Sequence, residues 1–71
     1  MDIQSIKSPT EFASTVREEG FTAPPHMYGV MQKYMRENNA TFPSAYYALM
    51  QKKTIFLVGR TYFLDLSALN Q

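Results

Sequence analysis

Between Thr54 and Leu66 the chain reads Thr-Ile-Phe-Leu-Val, then Gly59-Arg60, then Thr-Tyr-Phe-Leu-Asp-Leu. Two runs rich in β-branched and aromatic residues thus flank a two-residue Gly-X loop, which suits a type II′ hairpin turn. A loop of that length leaves one register: Val58 opposite Thr61, Leu57 opposite Tyr62, Phe56 opposite Phe63, and Ile55 opposite Leu64. Successive strand side chains alternate between faces. Ile55, Leu57, Tyr62 and Leu64 therefore share one face, expected to be the core, and Phe56 and Phe63 share the other. Two phenylalanines turned to water would form an unusual apolar patch. Cover is expected for them, from the N-terminal Ile3/Ile6 segment, from a second subunit, or from another protein.

Upstream of the hairpin the pattern changes to helical. Ser8-Pro9-Thr10-Glu11 combines a capping serine, a proline at the first helical position and a glutamate placed for a capping box. Phe12, Ala13 and Val16 follow as an apolar stripe. Gly20 then provides a left-handed stop, with Phe21 positioned to fold back on Val16. The first helix is expected over about residues 9–19. Past Pro24-Pro25, residues Met27, Val30, Met31, Tyr34 and Met35 recur at the spacing of one helical face, with Gln32, Lys33 and Arg36 opposite. The second helix spans about 25–38 and stops at Asn38-Asn39. Its methionine-rich stripe suits core packing first and an adaptable binding groove second. Phe42-Pro43-Ser44 opens a third helix over about 43–52, with Ala45 and Leu49 inward, Tyr46 on the flank, and Ser44, Tyr47 and Gln51 on the opposite face. The expected architecture is one α+β domain over residues 1–71: three helices, then a C-terminal hairpin over about 54–66.

Composition narrows what such a domain can do. A chain of 71 residues without cysteine has no disulfide to lean on, so its stability rests on an apolar core built around ten aromatic residues. The single histidine, His26, makes no metal site alone, and no nucleophile–base pair or phosphate-binding glycine loop is present. No catalytic residue, cofactor, metal or small-molecule substrate is therefore expected. No apolar run approaches the length of a membrane span, and the N-terminus lacks the pattern of a signal peptide, so the expected address is cytoplasmic. Charge is uneven. Residues 1–29 carry two cations against four anions, and residues 30–71 carry five against two, which points the second half toward an anionic partner.

Three helices followed by a hairpin is the element order of a winged helix-turn-helix domain, in which the third helix reads DNA and the hairpin is the wing. On that pattern Ser44, Tyr47 and Gln51 would reach base edges of double-stranded DNA, Lys52, Lys53 and Arg60 would meet phosphates, and Lys33 and Arg36 would touch flanking backbone. The second half also resembles the small excisionase-like regulators of phages, plasmids and mobile elements. The resemblance lies in Ser44-Ala45-Tyr46-Tyr47-Ala48-Leu49-Met50, Ile55 to Val58, Gly59-Arg60, Tyr62 to Asp65 and Ala68-Leu69, about 28 residues. It implies a role in DNA bending or transcriptional control. The same residues support a different expectation: a small phage or plasmid factor that modulates a host protein, with Phe56, Phe63 and the tyrosines as interface anchors.

Overall fold

The computed structural model describes residues 2–70. Its helices are α1 (Pro9–Glu18), α2 (Pro25–Asn38) and α3 (Phe42–Gln51), and its strands are β1 (Ile55–Val58) and β2 (Thr61–Leu64). Short 3-10 turns at Ile3–Ser5 and Leu66–Asn70 stand before and after them. The α+β arrangement expected from the sequence is present, with the hairpin in the expected register of Ile55 with Leu64, Phe56 with Phe63, Leu57 with Tyr62 and Val58 with Thr61. Gly59 sits at φ +62° and Arg60 is not in the positive region, as a II′ turn requires.

Local chemistry explains each helix boundary. The Ser8 hydroxyl accepts from the Glu11 amide at 3.2 Å. The Glu11 carboxylate reaches back to the Lys7 amide, one residue before the cap. At the other end of α1 the Phe21 amide donates to the Val16 carbonyl and the Gly20 amide to the Arg17 carbonyl. With Gly20 at φ +78°, this is a Schellman closure. α2 starts on Pro25 and is capped by Asn39, which is left-handed at φ 49°. α3 begins one residue earlier than expected, because the Thr41 hydroxyl caps it by accepting from the Ser44 amide. It ends in a second Schellman closure, with the Lys53 amide donating to the Met50 carbonyl and the Thr54 amide to the Leu49 carbonyl. The strands are shorter than the β-rich runs at both outer ends. Asp65 turns the chain by accepting from the Ser67 amide and hydroxyl, so Leu66 opens a 3-10 turn instead of extending β2.

Phe12 is the centre of the core. It is fully buried, with Phe42, Tyr62, Tyr46 and Tyr28 ring centroids at 5.2, 5.6, 5.7 and 6.1 Å. Met27, Met31, Leu49 and Ile55 close around this aromatic cluster. The methionine stripe is therefore core, and the groove reading of it falls. Tyr46 is also buried rather than flanking, and its hydroxyl meets that of Tyr62 at 3.1 Å. Burial first, and that hydroxyl pair second, hold the Tyr62 phenol well above its usual pKa of 10.0.

Two further expectations are corrected. Ile3 and Ile6 are buried in the core, where the N-terminal 3-10 turn packs on α3, so they do not cover Phe56 and Phe63. Leu57 lies on the same face as buried Tyr62 yet is exposed. The reason is strand order. Thr22, between α1 and α2, forms a parallel bridge with Thr61, its amide donating to the Arg60 carbonyl and its carbonyl accepting from the Tyr62 amide. β2 thus lies between Thr22 and β1, over the aromatic cluster, while β1 is the edge strand and its distal half overhangs the helices.

Candidate nucleic-acid interface

The face of α3 turned away from the core carries Ser44, Tyr47 and Gln51, all exposed. Their spacing puts them on one side of the helix because Phe42, Ala45, Tyr46 and Leu49 occupy the other. Tyr47 is held edge-on against Tyr46 at 5.3 Å between centroids, which fixes the base of its ring while half of its surface stays wet. Ser44 accepts from the Thr41 hydroxyl, so its side chain also serves the helix start.

The cations do not form one patch. Lys33 and Arg36 from α2 and Lys52 from the end of α3 line one concave surface together with His26, Leu66 and Leu69. Glu37 is the acid on that surface. The packing of α2 on α3 brings these cations together from separate helices, which no local pattern announces. On another side of α3, Ser44 and Tyr47 line a shallow groove with Lys7 and Gln4. Periodicity does not pick out Lys7, because it lies outside every periodic segment. It reaches α3 through the N-terminal turn that Ile3 and Ile6 anchor.

Lys53 and Arg60 are individual cases. Lys53 occupies the left-handed C′ position of the α3 closure at φ 66°, where glycine is the usual residue. A lysine there is strained by about 1 kcal/mol. Lys53→Gly is expected to raise stability by about that amount, read as an upward shift of the urea midpoint at constant slope; a lower midpoint would show that the lysine side chain supports the fold. Arg60 folds back across the sheet. Its Nη1 donates to the Glu19 carbonyl at 2.9 Å and its guanidinium lies 5.5 Å from the Phe21 ring centroid. A cation at the carbonyl end of α1 sits in the favourable part of the helix dipole. Arg60 is thus a tie between the hairpin tip and α1.

Against family models, curated proteins and solved structures, the chain has no match. Geometry alone describes the site. Among the described residues, no group of three His, Cys, Asp or Glu side chains is placed to hold a metal ion. No helix of these residues is long and apolar enough to cross a membrane. What the α3 face offers is hydroxyl and amide groups on a rigid helix, with cations on neighbouring surfaces. Such a set can accept and donate hydrogen bonds and neutralise anions.

Proposed function

We propose that this protein binds double-stranded DNA with α3 in the major groove, as a small cytoplasmic regulator or excisionase-like architectural factor. The observation that carries the reading is the outward-facing row Ser44, Tyr47 and Gln51 on α3, with the cations Lys33, Arg36 and Lys52 clustered on a separate surface that starts at Lys52, next in sequence to Gln51. Chain order adds support. A helix, a bridging residue, two helices and a hairpin, with the bridge at Thr22 beside β2, fit a winged helix-turn-helix. In this reading Ser44, Tyr47 and Gln51 reach base edges, where hydroxyl and amide groups discriminate sequence. Lys33, Arg36, Lys52 and Lys53 take phosphates, and Lys7 extends that row at the start of α3. Arg60 has one guanidinium donor committed to Glu19 and offers the others.

The test is titration of random duplex DNA by fluorescence anisotropy at several salt concentrations. Wild type should bind at low salt and weaken steeply as salt rises, because neutralised phosphates release counterions. Lys33→Ala/Arg36→Ala/Lys52→Ala should lower the salt slope by roughly three, about one for each phosphate that is no longer neutralised. All three side chains are exposed, so the melting temperature should hardly move. Gln51→Ala should act mainly on a preferred sequence, by roughly 1–3 kcal/mol. A wild type that binds no duplex at low salt, or a folded triple variant that binds like wild type, would sink the proposal.

A further inference from the structure

We infer that the outer edge of β1 is the docking surface for a second copy of this chain, joined strand to strand about Leu57. The inference stands independently of DNA binding and begins with where hydrophobic surface is left uncovered. Phe56 is 37% exposed, Leu57 37%, Val58 60% and Phe63 44%, and all four belong to the hairpin. Phe56 and Phe63 stack on each other at 5.4 Å and 17°, so the patch is ordered and flat. Neither the N-terminal turn nor the C-terminal one covers it; Ile3, Ile6 and Ala68 are themselves in the interior.

The backbone specifies what kind of occupant fits. In an antiparallel pair, residues alternate between facing the partner strand with their N–H and C=O groups and facing away. The two-residue loop makes Val58 and Thr61 a bonded pair, and the Asp65 amide on the Thr54 carbonyl at 2.7 Å keeps the same phase at the other end. Val58, Phe56 and Thr54 are therefore turned to β2, and Ile55 and Leu57 to the open edge. Ile55 is fully buried, which leaves Leu57 as the accessible outward-facing residue of the strand. An edge of this kind accepts another strand.

A second β1 satisfies it completely. With the two-fold axis at Leu57, that residue and its copy exchange two backbone hydrogen bonds, and Phe56 lies opposite Val58 of the partner subunit. The stacked Phe56–Phe63 pair then continues across the axis. Ile55–Val58 holds no charged side chain, so no like charges meet at the axis. The nearest cation, Arg60, is drawn away to the Glu19 carbonyl. Natural edge strands are commonly guarded by lysine, proline or a bulge. This one carries none of these, and a two-fold pair would bury the β1 edge of both copies at once.

Sedimentation velocity of the full chain, from micromolar to millimolar concentration, tests this. Wild type should move from the 8.2 kDa chain mass to twice that value. Leu57→Lys, which sets two like charges across the axis at an exposed position, should stay monomeric while keeping its dilute melting temperature. The chain has no cysteine, so Leu57→Cys should form a disulfide-linked dimer on mild oxidation, and Tyr47→Cys, exposed on α3, should form far less. A wild type that remains monomeric at millimolar concentration would overturn the inference. So would a Leu57→Lys variant that still dimerises, open-ended growth beyond two copies, or equal cross-linking at the two positions.

Discussion

Phe12→Ala is expected to remove about a third or more of the stability of the domain. Phe12 is fully buried and four aromatic rings surround it, so truncation removes the one side chain common to α1, α2, α3 and β2. Phenylalanine-to-alanine changes in such settings cost about 3–5 kcal/mol. At about 0.05–0.15 kcal/mol per residue, a domain of this length has roughly 4–10 kcal/mol in total. The measurement is a thermal melt by circular dichroism, with Phe12→Leu alongside. Leucine keeps most of the volume and should cost clearly less, about 1.5 kcal/mol. A cooperative Phe12→Ala transition within a few degrees of wild type would show that the ring cluster is not the organising element.

Gly59→Val carries the second largest expected effect, about 1–3 kcal/mol of lower stability. An added Cβ at Gly59 would meet nothing within 4 Å, so crowding is not the cause. The cost is conformational: the turn holds this residue at φ +62°, and a β-branched side chain resists that region. Gly29 is the internal control. It lies within α2, again with nothing within 4 Å of an added Cβ, and Gly29→Ala should raise stability by up to about 1 kcal/mol. Chemical denaturation of both variants separates the cases by sign. Equal shifts for the two would mean that the II′ assignment, and with it the strand register, is wrong.

Where a local rule governs a feature, the sequence is sufficient. The Gly59-Arg60 loop sets the register residue by residue because a two-residue turn leaves the strands no slack. Gly20 and Asn39 mark helix ends because both residue types tolerate positive φ, and Ser8 and Glu11 mark a start because they satisfy free amides. Lys53 shows the limit: it closes α3 in the same left-handed geometry, yet nothing about lysine announces it. Thr22 shows another, since a bridge of one residue beside two prolines has no periodicity to detect. The α3 face is legible from helical spacing alone. The company it keeps is not, because Lys7 reaches it, and Lys33 and His26 meet Lys52 beyond its end, only through the angles at which the elements pack. Arg60 reads in sequence as a solvent-facing tip for the same reason; its Glu19 acceptor lies 41 positions away.

That long reach bears on the order in which the chain assembles. Each helix and the hairpin is completed by hydrogen bonds between near neighbours in sequence, so each can form and dissolve quickly on its own. The links from Thr22 to Arg60 and Tyr62, with that from Arg60 to Glu19, close a circuit of about forty residues. Closing it costs roughly 3 kcal/mol of chain entropy beyond a constant term, and only afterwards do Phe21 and Tyr62 meet at 5.9 Å. Pairings of high sequence separation slow folding. Arrival of the hairpin on the α1–α2 connection is therefore the step expected to limit the folding rate of this domain.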